Sequence, residues 1–388
     1  MSRNCPICNS DQKTYVYKQN FNNTDFTPFS YYWVVICNHC NFVYADVNTN
    51  QQQLSDYYKS MSKYEYHSNA GNISKETENR FNNIFNFLQP HIIKESSILD
   101  IGCATGALLS IFKKNGYEDV TGVDPSESCC KIAKEYYDVN VIHSDIFKFK
   151  TEKKYDLIIL SGVLEHIYDL QTLIKQVKEM LSETGMLFIV VPDVRNFYNK
   201  LQVPFQQFST EHLQYFDIIS LRKLSSLYEI DSTENLENEF DPVLFVLFKN
   251  TPTNWTFVRG DYSSIAVNSY IQQSNKLETK LLESIENKLK NVEQFIVWGV
   301  GTSTLRLLNN GLDVDKISFF IDSNENYNDK QIYNKFIWSP DEYGDHLKMY
   351  DTSHNLPIVI TSYISRNEIK QQIKDLGIKN KIIDLYEE

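Results

Sequence analysis

The stretch that constrains this chain most runs from Ser97 to Gly106 and reads S-I-L-D-I-G-C-A-T-G. Ile98, Leu99 and Ile101 give a short apolar segment of the kind that forms a buried strand. Glycines at 102 and 106 bend the chain, and Ala107-Leu-Leu-Ser-Ile-Phe112 continues in a helical pattern. A strand, a glycine turn and a helix N-terminus bring backbone N–H groups to one place and let a ligand approach the main chain closely. Asp100 stands beside that loop. Its carboxylate would repel a pyrophosphate and suits a ligand that carries positive charge and no phosphate. The plainer reading is an ordinary buried strand and turn.

Three further landmarks follow in order. Asp119-Val-Thr-Gly-Val-Asp124 is a second strand ending in an acid, His143-Ser-Asp145-Ile146-Phe147 lies at the end of a third, and Tyr155 to Leu160 is a fourth, followed by Ser161-Gly-Val-Leu-Glu165-His166. With these residues the chain resembles the class I S-adenosylmethionine-dependent methyltransferases, whose first motif is matched by Asp100, Gly102, Ala104 and Gly106. Alanine replaces the middle glycine. The resemblance implies cofactor contacts from those four residues and from Asp124, Asp145, Ile146, Ser161 and Glu165, with Asp124 on the ribose hydroxyls and Asp145 on the adenine amine. Four landmarks in order are far more specific than one glycine motif.

Around them the pattern alternates. Strands are expected near 97–101, 119–123, 140–142, 155–160 and 185–191, with helices between, which is the signature of an open parallel sheet covered on both faces. Phe81, Ile84, Phe85 and Leu88 mark a helix over Thr77 to Leu88 ahead of the first strand. Asp241 to Lys249 is the candidate for the last strand of the sheet, in an antiparallel hairpin.

Ahead of this core, Cys5-Pro-Ile-Cys8 and Cys37-Asn-His-Cys40 form two C-x-x-C knuckles. Two such pairs separated by a loop read as a structural zinc site of four thiolates. His39 is a competing ligand inside the second knuckle. The aromatic segment between the knuckles contains a strand over Tyr31 to Ile36. Beyond the second knuckle, Leu54 to Ser68 is dense in Tyr and His, and reads either as a lid over a cleft or as a surface loop.

Beyond Lys249 a polar linker leads to Tyr270–Lys290, where Leu277, Leu281, Ile285 and Leu289 recur every four residues, as on one long amphipathic helix. A second α/β pattern then opens with Phe295–Trp298, Gly299-Val-Gly301-Thr-Ser-Thr304, and a strand from Ile317 ending in Asp322. Two glycines without the third make a weak dinucleotide signal. A nucleotide-type fold that helps hold the substrate is favoured over NAD binding.

The composition sets outer bounds. The 388 residues suit two or three domains of about 150 residues each. No apolar run nears the roughly 20 residues of a membrane helix, and the N-terminus lacks an apolar signal core. A cytoplasmic protein with reduced thiols and no membrane partner is expected. The net charge of −12 speaks against a nucleic-acid partner, which needs clustered Lys and Arg. No feature sets the oligomeric state.

Taken together, the fold class expected is α/β: a zinc-knuckle domain over 1–65, a class I methyltransferase Rossmann-like sheet over 66–250, and a smaller Rossmann-like domain over 251–388. This order resembles the zinc-containing sugar C-methyltransferases, which act on nucleotide-linked keto sugars. Their substrate run is matched at Glu211 and His212, while Ser209 stands where the family has a tyrosine. His166 matches a second active-site histidine, and Tyr64 or Tyr66 an N-terminal tyrosine that closes over the substrate. The resemblance therefore implies a nucleotide-sugar substrate, with C-methylation placed ahead of O-methylation. His212 or His166 is the candidate base. Two other classes stay open: a non-catalytic binding protein with a relic cofactor fold, and a nucleic-acid methyltransferase, for which the basic face is missing.

Overall fold

The computed structural model describes residues 2–21, 27–60, 73–199, 201–237, 243–251, 260–349 and 356–387. The chain divides into two compact units. One comprises residues 1–16, 34–200 and 211–267; the other comprises 17–33, 201–210 and 268–388.

The N-terminal strands are β1 (Lys13–Asn20), β2 (Tyr31–Cys37) and β3 (Val43–Asp46). Helices α1 (Gln51–Ser60) and α2 (Lys75–Leu88) follow, and then the alternating core begins. It consists of β4 (Ile98–Ile101), α3 (Ala107–Lys114), β5 (Val120–Asp124), α4 (Glu127–Tyr137), β6 (Val141–His143), β7 (Tyr155–Ser161), α5 (Leu170–Met180) and β8 (Leu181–Pro192). A short strand β9 (Gln214–Tyr215), helix α6 (Ile218–Ser226), and strands β10 (Asp231–Glu237) and β11 (Val243–Lys249) close the first unit's elements.

These strands form a seven-stranded sheet in the order β10-β11-β8-β7-β4-β5-β6. Strands β4 to β8 run parallel, as the alternation requires. Strand β11 lies antiparallel against β8, pairing Val243 with Pro192 through Lys249 with Met186. It is the last strand of this sheet in chain order, as expected, but β10 and not β11 holds the sheet edge. The central strands are apolar on both faces because both are covered. Leu99, Ile101, Ile158, Leu160, Ile189 and Val246 pack into one cluster. Ile98, Leu157, Ile159, Phe188, Val190 and Phe245 pack into the other. The expected helix over 77–88 is α2. Its N-cap Ser74 accepts a hydrogen bond from the Thr77 amide, which ties down one of the first-turn donors.

A four-stranded sheet has the order β1-β2-β3-β9, with β3 and β9 antiparallel. The stretch between His212 and α6 therefore contains a strand, and Phe216 lies between that strand and the helix. Helix α6 starts at Ile218, after a capping box made by Asp217 and Ser220.

The second unit takes in the long helix α7 (Tyr262–Leu289) from Asn268 on; the helix begins eight residues ahead of the expected start. Its elements are β12 (Phe295–Trp298), α8 (Thr302–Asn310), β13 (Ile317–Ile321), β14 (Gln331–Ile332), β15 (Lys335–Trp338), α9 (Pro340–Met349), β16 (Ile358–Ile360), α10 (Arg366–Asp375) and β17 (Ile382–Asp384). They build a six-stranded sheet, β14-β15-β13-β12-β16-β17, parallel except for β14. The α/β organisation expected from the alternation is the one the chain adopts in both units. Among the described residues no helix is long and apolar enough to cross a membrane.

Candidate active site

The loop after β4 turns on three left-handed residues, Gly102 (φ +73), Ala104 (φ +48) and Gly106 (φ +75). Gly102 has no room for a side chain: a Cβ there would lie 2.7 Å from Val163 Cγ2. Gly122, in the middle of β5, is likewise dictated by packing, since a Cβ would meet the Cys103 sulfur at 2.5 Å. Ala104 is the position where the sequence departs from glycine. The left-handed region costs an L-residue about 1–2 kcal/mol, and glycine brings an entropy cost of about 0.5–1 kcal/mol. Ala104→Gly is therefore expected to raise stability by about 1 kcal/mol or less. A lower melting temperature in the variant would refute this.

Asp124, at the end of β5, is tied into the same loop. One carboxylate oxygen accepts the Ala104 amide and the other the Ser126 amide, each at 2.9 Å. Asp100 lies beneath, buried in β4, and its pKa is pushed well up by burial and by the neighbouring Asp124 charge. Helix α3 starts at Gly106 with no side-chain cap, whereas α4, α5 and α6 are capped by Ser126, Asp169 and Asp217. The first-turn amides of α3 are thus not closed off by a capping side chain.

A cleft opens beside this loop. From the expected cofactor residues its wall takes Gly102, Asp124, Asp145 and Ile146, and from the expected catalytic residues His166 and Glu211. Asp145 is held by the Phe147 amide, which donates to its Oδ1 at 2.9 Å. Asp100, Ala104, Gly106, Ser161, Glu165 and His212 stand outside the wall. Ser161 ends β7, where its backbone is in register with Val190. Tyr64 and Tyr66 lie outside the described residues.

The histidines come together. A turn of 3₁₀-helix over Leu164–His166 follows β7 and carries Glu165, which is buried, and His166. The Glu165 carbonyl accepts the Leu213 amide at 2.7 Å, which brings the segment holding Glu211 and His212 alongside. The rings of His166 and His212 meet edge-on, with centroids 5.0 Å apart. Ligand-type atoms of Glu165, His166 and His212 all lie within 4.8 Å of one another. Residues 165–166 and 211–212, 45 positions apart in sequence, thus make one cluster at the cleft. Ser209, in the other unit, offers its carbonyl to the Tyr32 hydroxyl at 2.9 Å.

The start of the Leu54–Ser68 stretch, which reads as a lid or a surface loop, belongs to helix α1, an element that the sequence pattern does not mark. Gln51, Ser55 and Tyr58 line the cleft from one face of this helix, at spacings of four and three. The signal present was a polar stripe at helical period in Q-Q-Q-L-S-D-Y-Y, which a solvated helix face also shows.

The four knuckle cysteines converge separately. Cys5 and Cys40 have sulfurs 3.5 Å apart, as do Cys8 and Cys37, and all four sulfurs lie within 4.8 Å of one another. Ligand bonds of about 2.3 Å in a tetrahedron need sulfurs about 3.8 Å apart, so the set fits zinc. The two knuckles have the same shape. Asn9 and Asn41 follow them in the left-handed region, and their amides donate to the Cys5 and Cys37 carbonyls, each at 2.9 Å. His39 is exposed and outside this cluster.

In the second unit the loop after β12 is built on the same plan. Asp322 follows β13 and accepts the Val300 amide at 2.6 Å and the Asn324 amide at 2.9 Å. Thr304, at the place of a third glycine, is buried and donates to the Gly299 carbonyl at 2.7 Å. The departure from a dinucleotide motif is thus used to lock the turn.

Residues 74–228 match the family described as a methyltransferase domain, and residues 291–383 the family described as C2185-like, N-terminal. The chain is 33% identical over 100 residues to (S)-tetrahydroprotoberberine N-methyltransferase of Eschscholzia californica, covering 24% of this chain and 29% of that one. It is 34% identical over 111 residues to a ubiquinone biosynthesis O-methyltransferase of Coxiella burnetii, covering 27% and 47%. The chain thus spans less than half the length of these curated relatives. Among solved structures, the PH0226 protein of Pyrococcus horikoshii is similar at 21% identity and a TM-score of 0.41, over 51% of this chain and 99% of that one. The 1,6-didemethyltoxoflavin-N1-methyltransferase of Burkholderia thailandensis, described with bound S-adenosylhomocysteine, is similar at 16% identity and a TM-score of 0.41, over 56% and 97%.

Residues 74–228 are thus similar to a methyltransferase domain of the class I type. The cofactor of that class is S-adenosylmethionine. The residues present fit it: a loop with no room for a side chain at Gly102, an uncapped helix start, and two acids at the ends of adjacent strands.

Proposed function

We propose that this protein transfers a methyl group from S-adenosylmethionine to a small molecule, and that the substrate is a nucleotide-linked sugar methylated at carbon. The observation that carries the reading is the convergence of Glu165, His166 and His212 beside a cleft walled by Asp124 and Asp145. The cofactor supplies a sulfonium methyl that is open to in-line displacement. The chain must align the nucleophile and accept its proton. Imidazoles titrate near neutral pH and suit that task. For a carbon beside a ketone the proton comes off that carbon. For an oxygen nucleophile it comes off the hydroxyl. The N-terminal knuckles, the Glu211–His212 pair and His166 together support the sugar C-methyltransferase reading, with zinc held by Cys5, Cys8, Cys37 and Cys40. O-methylation of a sugar or other metabolite is the second reading, in line with the name of one curated relative, the ubiquinone biosynthesis O-methyltransferase, and with Ser209 in place of the family tyrosine.

Two measurements test this. A screen of nucleotide-sugars with labelled S-adenosylmethionine, followed by NMR of the product, distinguishes a C–CH3 from an O–CH3 group; no labelled product from any sugar would remove the substrate class. Asp124→Ala is expected to weaken S-adenosylhomocysteine about tenfold or more by isothermal titration. Charge-assisted hydrogen bonds to ribose hydroxyls are worth roughly 1.5–3 kcal/mol. An unchanged dissociation constant in a folded variant would overturn the assignment of Asp124.

A further inference from the structure

We infer that Tyr58 is a positioning residue that fixes which ring nitrogen of His166 carries the proton and which the lone pair. The inference deepens the methyltransferase reading and rests on it for its meaning, though not for its test. Three atoms form a triangle. His166 Nδ1 lies 3.0 Å from the Tyr58 hydroxyl and 3.2 Å from the Glu211 carbonyl oxygen, and the Tyr58 hydroxyl is 3.4 Å from that same oxygen.

The carbonyl can only accept. If Nδ1 carried a lone pair, that lone pair would face the carbonyl oxygen at 3.2 Å. With the proton on Nδ1 every group finds a partner: Nδ1–H donates to the Tyr58 oxygen and to the carbonyl, while the Tyr58 hydroxyl donates to the carbonyl. The neutral ring then has its lone pair on Nε2. Burial pushes the Tyr58 pKa well above that of an ordinary tyrosine, aided by the Glu211 charge, so the hydroxyl keeps its proton and remains a donor.

Helix α1 is built to hold this arrangement. Gln51, seven residues before Tyr58 on the same face, accepts the amides of Tyr168 and Asp169 at 3.0 and 3.2 Å. The helix is therefore pinned just beyond His166 by Gln51 and at His166 by Tyr58, which also meets the imidazole edge-on at 5.6 Å. Tyr57, beside it, donates to Glu211 Oε1 at 3.3 Å and ties the second partner of the triangle to the same helix.

The test is NMR of full-length protein labelled with ¹⁵N-histidine, at a pH where the imidazole is neutral, with His166→Gln to assign the resonances. His166 in the wild type is expected to be protonated on Nδ1. Tyr58→Phe, which keeps the ring, is expected to shift the tautomer ratio toward Nε2–H by roughly twofold to tenfold, the range one ordinary hydrogen bond supports. A wild-type ring protonated on Nε2, or a ratio unchanged in Tyr58→Phe, would overturn the inference. S-adenosylhomocysteine titrated into both proteins reports on the functional reading separately. Failure of the wild type to bind would sink the cofactor reading while leaving the tautomer result standing.

Discussion

Replacing His212 with alanine is expected to lower turnover by roughly 10²–10⁴, the usual loss when a general base is removed. Affinity for S-adenosylmethionine should hardly change, because His212 stands outside the cleft wall formed by Gly102, Asp124 and Asp145. His166 lies on that wall with its ring against His212, and the two substitutions separate the roles. If His166 is the base, the larger loss follows His166→Ala, and His212→Ala acts on substrate affinity. With a keto sugar there is a second readout: deuterium at the carbon beside the ketone should wash out with enzyme and S-adenosylhomocysteine alone. Exchange that persists undiminished in His212→Ala moves the assignment to His166. No exchange with the wild type, together with an O-methyl product, ends the C-methylation reading.

Removing one knuckle thiolate is expected to have the other large effect. Cys5→Ser or Cys40→Ser should lose zinc and lower the melting temperature of the whole first unit. Structural zinc binding is coupled to folding and reaches apparent values of about 10–16 kcal/mol in zinc-finger peptides. The packing says why the loss should spread. Cys5, Ile7, Cys37, Cys40 and Phe42 belong to the same buried cluster as Leu160, Ile189 and Val191 of the central sheet. Gln171, on α5, also donates to the carbonyls of Pro6 and Ile7 in the first knuckle. Elemental analysis without zinc in protein purified away from chelators would refute the metal. A variant that binds zinc as before would refute the ligand set.

The parts legible in sequence were those whose physics is local. Strands 98–101, 155–161 and 295–298 announce themselves as apolar runs stopped by Gly or an acid, and the cysteine spacing is a local turn repeated. Tyr58 was not legible because its importance comes from what α1 packs against, and nothing in a polar helix names its partner. The edge strand β10, with only Leu236 as an aliphatic residue, lacked the apolar run that betrayed its neighbours. The meeting of His166 with His212 was readable only through resemblance, since no periodicity links positions so far apart.

The acid that ends the second strand of each sheet has a further consequence. Asp124 and Asp322 each grip two backbone amides, one in the preceding glycine turn and one just beyond the acid. Both turns are therefore clasped shut by the protein itself, and binding need not spend free energy on ordering them. Preorganisation of this kind lets a loop accept a weakly held ligand without a folding step. It also means that an acid at this position serves its own turn first. In the second unit, where Thr304 adds a lock of its own, the clasp accounts for Asp322 without requiring a nucleotide.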